Sequence, residues 1–414
     1  MTAKPRQAPR YVWLMGLANM TYGYGYAAVL VTLPQLLAAR GVAEPRIANI
    51  VAVAMAIALL TFVLAPLLDC WMSRRAWAIT LALLSFGQIF FALLLPAGSL
   101  WFAILLPGGA LALALYNAAI GGWLGSVLPK DCDETIGAWF NIGNSAGFGC
   151  GAQVQFWLVT HLPGGTGAAL ASAGILLPLA ILAAIPAPDS TRAAVHENFR
   201  RLGRDVGQLL RQPPVVRILV LFVLPCGAFT LTNAFGAMGR AFNANATTID
   251  TATGIASIVI SLIAALAFKP LLTRVRAPLA YLAVGSLGGI FTLALLPLPH
   301  VAPVFVLAVL GENVAQTCAQ VAQNTIIFRS IPLGSPLAAT QFGLLQTTAV
   351  VPYSYMQALD GVGYGRAGIA GAFLTDAGVS IAACALVLLP LLRWLRAGAL
   401  DAAPTASPGL ASPA

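Results

Sequence analysis

Charge is what this sequence has least of. Asp, Glu, Lys and Arg make up 8% of its 414 residues, whereas 59% are hydrophobic and the mean hydropathy is +0.87. An ordinary soluble domain carries roughly 25% charged residues, so a water-facing surface cannot be clothed from this stock. Histidine is also scarce: the 3 present, His161, His196 and His300, all fall in loops, which excludes a histidine proton relay inside the membrane. The 6 cysteines show no paired metal or redox spacing, and most fall within apolar runs as small hydrophobes. No metal or cofactor is expected. Strands of about ten alternating residues are missing too, which excludes a membrane barrel.

What is present is a series of long apolar runs. A helix needs about 20 apolar residues to cross the hydrocarbon core, and reading between charged and Pro/Gly breaks gives twelve candidate spans. They run over roughly 12–38, 47–68, 76–96, 101–128, 136–160 and 167–187, then 216–239, 250–272, 278–298, 301–327, 337–359 and 368–392. Placing the N-terminus in the cytoplasm puts all but Arg40, Arg46, Arg240 and Arg366 of the 22 Lys and Arg on the cytoplasmic side. That bias supports the orientation, with both termini cytoplasmic, and an even count of spans. The net charge of +9 is dispersed over the inner loops, which fits topology and contact with anionic lipid and does not fit nucleic-acid binding. The basic, apolar start MTAKPRQAPRYVWLMGL lacks a small-residue cleavage site and reads as an uncleaved signal anchor.

The expected fold is an all-α membrane protein with twelve transmembrane helices in two pseudo-symmetric six-helix bundles, 1–187 and 216–396. Residues 188–215 hold the long charged stretch, in which Phe199, Leu202, Val206 and Leu209 recur at helical spacing. This reads as a cytoplasmic amphipathic linker lying on the membrane surface. The tail 397–414, rich in Ala, Pro and Ser, reads as disordered. A faint repeat relates Pro66-Leu67-Leu68, closing span two, to Pro270-Leu271-Leu272, closing span eight, at equivalent places in a six-plus-six arrangement.

On these features the chain resembles the major facilitator superfamily from span one to span twelve. The loop PLLDCWMSRRAW is similar to the superfamily's acidic-then-basic-pair loop, carried by Asp69, Arg74 and Arg75. Arg74-Arg75-Ala76-Trp77 resembles a signature of the muropeptide permease and acetyl-CoA transporter group. So does Tyr116 to Trp123, a stretch ending in Gly-Trp, with Asn117 and Gly121 standing where acidic residues are typical. The compact length is most similar to siderophore permeases of the RhtX/FptX type. The resemblance implies a secondary transporter, monomeric, that couples a small-molecule solute to protons, and no enzyme activity. Import of a bulky, siderophore-like solute comes first, with a muropeptide-type permease or a drug and metabolite efflux transporter as alternatives. Span five lacks the proline of a drug-antiporter motif, which weighs against efflux.

The resemblance also implies that spans one, four, seven and ten line a central cavity while three, six, nine and twelve lie outside. The outer set carries only Gln88 and Asp376 among Asp, Glu, Asn and Gln, whereas the inner set carries Asn19, Gln35, Asn117, Asn233 and the run GENVAQTCAQVAQN. Within that run Glu312, Gln316, Gln320 and Asn324 share one helix face. A carboxyl in lipid is costly to ionise, so Glu312 is either a proton-exchanging coupling group or a permanently neutral hydrogen-bonding one. Gln316 and Gln320 are candidate solute contacts. In span one, Tyr22 and Tyr26 share a face with Asn19, either to stack a planar solute or to pack against a neighbouring helix. Asp69, Arg74 and Arg75 are either a gate that forms in one state and breaks in the other, or charges that only set topology. Asp376 is expected to snorkel or to pair with Arg366. Gly143, Gly147 and Gly151, four apart in span five, predict a close helix contact.

Overall fold

The structure, a computed structural model, describes residues 11–184, 203–204 and 206–397. Most of the predicted amphipathic linker, including Phe199 and Leu202, and the tail beyond Ala397 lie outside the described residues. The described chain is helical throughout, and seven helices in it are long and apolar enough to cross a membrane. One of them, Ala338–Arg396, is two spans joined at a kink where Ala367 and Gly368 leave helical geometry. Span two occupies 44–69, span three Arg74–Leu94, span four Leu100–Val127 and span five Asp133–His161. Spans eight, nine and ten occupy 246–272, Ala277–Ala294 and Ala302–Ser330.

Three further spans are interrupted. Span one, 12–39, loosens at Ala28–Thr32 into a wider turn just ahead of Pro34. Span six is split into Gly164–Ala173 and Leu179–Ala184. Span seven, expected as a continuous helix, breaks into Pro213–Val223 and Leu231–Met238. The cause is local: Pro225 offers no backbone N–H and drives Leu224 to extended geometry, at ψ 145. Phe229 then takes a left-handed φ of 47, and the helix resumes at Leu231 with Thr230 as its N-cap.

Glycine-mediated contact between spans one and five is present. A Cβ on Gly147 would lie 2.3 Å from the Met20 carbonyl oxygen, and one on Gly23 only 1.9 Å from that of Asn144. These backbones touch because neither residue carries a side chain. Arg74, Lys130, Arg276 and Arg329, at the ends of spans two to five and eight to ten, mark a basic face.

Candidate functional site

The aromatic stripe of span one opens onto a cavity. Tyr22 and Tyr26 stand one helical turn apart with ring centroids 4.6 Å apart and planes inclined by 50°. The Tyr26 hydroxyl donates to the Ala110 carbonyl of span four at 3.4 Å. Together with Asn117 of span four, Met55 and Leu59 of span two, and Gln346 and Thr347 of span eleven, they enclose about 50 Å³ of free space. No charged residue lines it. Asn117 Oδ1 and Gln346 Oε1 have no protein partner. Aromatic walls with a few convergent amides suit a solute held by stacking and hydrogen bonds.

The other expected site residues lie elsewhere. Asn19 is buried, and its Nδ2 donates to the Phe140 carbonyl of span five at 3.1 Å, tying two helices of the same half together. Asn233 is exposed beyond the break in span seven and is not among the cavity's lining residues. Gln316 donates to the Thr232 hydroxyl of span seven at 3.1 Å and Gln320 to the Tyr353 hydroxyl of span eleven at 3.4 Å. The polar stripe of span ten thus faces its own half and does not line the cavity beside Tyr22.

Glu312 is fully buried at 0% exposure and accepts a hydrogen bond from the Thr292 hydroxyl of span nine. Its second oxygen, Oε2, has no partner. The electrostatic neighbours of this carboxyl are two more acids, Asp376 of span twelve and Asp360 of span eleven. Asp376, expected to snorkel or to pair with Arg366, is 1% exposed and bonded by the Thr230 hydroxyl at 3.1 Å. The same hydroxyl contacts Asp360. Sequence reading missed Asp360, Thr230, Thr292 and Gln346. Asp360 is followed by GVGYGR, which reads as an outer loop, whereas the helix continues past it to the kink at 367.

At the basic face the two halves are joined through the loop after span two. Asp69 accepts from Arg74 Nε at 2.7 Å and, across the halves, from the backbone N–H of Ala339 at 3.1 Å and of Thr340 at 2.8 Å. The Thr340 hydroxyl adds a fourth bond at 2.7 Å. Arg74 in turn donates to the carbonyls of Ser335 and Pro336 at 2.7 and 2.8 Å. Arg75 serves a different contact, donating within its own half to the carbonyls of Leu182 and Ala183 at the end of span six. Two further bonds cross the same face: Lys130 Nζ to the Phe328 carbonyl at 2.7 Å, and the ion pair of Glu134 with Arg329. Burial pushes the Lys130 ammonium below its usual range.

Comparison with known proteins adds the family. The model described as Major Facilitator Superfamily matches residues 15–355. No curated protein matches the sequence. Among solved structures, the proton:xylose symporter XylE bound to 6-bromo-6-deoxy-D-glucose superposes with a TM-score of 0.69 at 15% identity, covering 91% of this chain and 94% of that one. The human organic anion transporter MFSD10 gives 0.67 at 15% identity, over 91% of this chain and 98% of its own. A bacterial homologue of the iron transporter ferroportin, in an outward-facing state, gives 0.61 at 18% identity, over 94% and 100%. At these identities the likeness is one of fold.

Proposed function

This chain belongs to the Major Facilitator Superfamily, and from that premise we propose a proton-coupled secondary active transporter of the inner membrane that imports a bulky solute of the ferri-siderophore class. Family membership points to a transporter and not to an enzyme. The proton-coupled part of this reading rests on one observation: Glu312, a carboxyl at 0% exposure in the middle of span ten, with one oxygen unpartnered and, among the described residues, the acids Asp360 and Asp376 as its charged neighbours. An unpaired carboxylate in hydrocarbon is disfavoured, so such a group persists by carrying a proton that it can exchange. The solved proton:xylose symporter supplies a precedent for proton coupling on this fold.

In this reading the chain is two six-helix bundles, 1–187 and 216–396, rocking about a shared cavity, with 188–215 as a surface linker and the basic face in the cytoplasm. The solute locus is Tyr22, Tyr26 and Asn117, opposite Gln346. The proton locus is Glu312, in the other half. The contacts of Asp69 and Arg74 with Ser335 to Thr340 hold the cytoplasmic side shut in the conformation described, and the solute leaves when they part. A free space of about 50 Å³ is too small for a ferri-siderophore, so the halves must separate further to receive one. Uptake of labelled ferri-siderophore into intact cells tests the proposal. A protonophore should abolish it, and Glu312→Gln should reduce it at least tenfold. Undiminished, gradient-dependent uptake in Glu312→Gln would remove Glu312 from the coupling role, and absence of uptake in the wild type would remove the solute class.

A further inference from the structure

The C-terminal half holds more acid than Glu312 needs. Asp360 and Asp376 lie on spans eleven and twelve, either side of the kink at Ala367 and Gly368, at 5% and 1% exposure. Thr230, itself 1% exposed, sits between them at the end of the break in span seven. Its hydroxyl reaches both carboxyls. Both carboxyls therefore converge on one hydroxyl oxygen.

Counting hydrogens exposes a deficit. Thr230 supplies one hydroxyl hydrogen to a pair with four oxygens, and no donor among the described residues reaches Asp360 Oδ1. The charged group that faces the pair from the packed elements is Glu312 of span ten, whose own Oε2 is unpartnered; spans seven and nine present the neutral hydroxyls of Thr230 and Thr292. Two adjoining carboxylates in a dry site, with a third acid beside them and no basic partner among the described residues, cannot all stay charged. A hydrogen between two carboxyl oxygens removes the repulsion and supplies the missing donor.

We propose that Asp360 and Asp376, bridged by Thr230 at the break in span seven, form a second proton-binding site that adjoins Glu312 and lies apart from the Tyr22 cavity. The inference rests on the reading of this protein as proton-coupled and adds a second locus to it. Placement at a broken helix fits, because interrupted spans are where secondary transporters bind their coupling ions. The site also joins three helices of one half, so the shared proton holds the hairpin of spans eleven and twelve against span seven. Its release leaves two charges side by side and loosens that hairpin.

The test needs no solute. The full chain is reconstituted in liposomes and titrated from acid to alkaline pH, with infrared detection of the carbonyl stretch of protonated carboxyls. Two titrating signals are expected: one lost in Glu312→Gln, the other lost in both Asp360→Asn and Asp376→Asn, because the proton belongs to the pair. Thr230→Val, which keeps both carboxyls, should retain the second signal with a shifted midpoint, and covers the case in which an Asn variant fails to fold. A wild-type titration whose carboxyl signal vanishes entirely in Glu312→Gln would overturn the site. So would a second signal displaced when K⁺ is replaced by Na⁺ at constant ionic strength, which would make the resident cation sodium. Gradient-driven uptake, measured separately, reports on the proposed function: a missing pair signal alongside intact proton-driven uptake refutes only this inference.

Discussion

Asp69→Asn separates a gate from a topology signal. The Asp69 and Arg74 side chains are 1% and 7% exposed, so solvent screening discounts their bonds little. The pair itself lies within one half and persists whether or not the halves part. The three bonds to Ala339 and Thr340 cross between halves, and under the proposed gating they break when the basic face opens. A hydrogen bond to a charged acceptor contributes about 1.5–3 kcal/mol, and asparagine keeps one of the two acceptor oxygens while turning an N–H toward donors. Retention of part of the set leaves a net loss of about 2–3 kcal/mol to the shut arrangement, a shift of roughly 30- to 150-fold toward the open one. Spin labels at Met72 and Leu333, exposed on this face in opposite halves, report the change as a longer-distance population. An unchanged distance distribution in Asp69→Asn would refute the gate and leave Asp69 as a topology-setting charge.

Two further outcomes probe the packing and the cavity. Gly23→Ala places a methyl 1.9 Å from the Asn144 carbonyl and should destabilise the detergent-solubilised chain by about 1–3 kcal/mol or more, whereas Gly87→Ala, with nothing within 4 Å, should be neutral or slightly stabilising in thermal unfolding. Asn117→Ala removes an amide from the cavity wall and should raise the solute KM by roughly tenfold with the dependence on the proton gradient intact. A loss of gradient dependence there, with KM unchanged, would contradict the division into solute and proton loci.

How much of this was legible in the sequence depends on range. Span positions are a local property of apolar run length, and the described residues carry helical segments within each expected span, broken in spans six and seven. The glycine ladder of span five was legible for the same reason: a four-residue spacing defines one face, and Gly143 and Gly147 do meet span one at Gly16 and Met20. A face, however, does not name its neighbour. Glu312, Gln316 and Gln320 share a stripe as expected, but nothing in that periodicity distinguishes a central cavity from spans seven, nine and eleven of the same half. The break in span seven carried its own signal in Pro225 and Gly227, masked because the surrounding residues are apolar enough to read as one run.

The acid pair was the hardest to see, and the reason is physical. Asp360 and Asp376 are 16 residues apart in sequence, on opposite arms of a hairpin whose bend lies at Ala367 and Gly368. Read singly, each looks like a charge near a membrane edge with water in reach. Only the folding of the hairpin onto Thr230 converts two inexpensive surface acids into one costly buried pair. The two arms therefore constrain each other: deprotonating the pair penalises the packing of spans eleven and twelve on span seven, and separating those spans weakens the hold on the proton. Reciprocal linkage of that kind is what coupling an ion to a conformational cycle requires. In the proposed scheme the hairpin geometry of the C-terminal half supplies a second thermodynamic link beside that of Glu312.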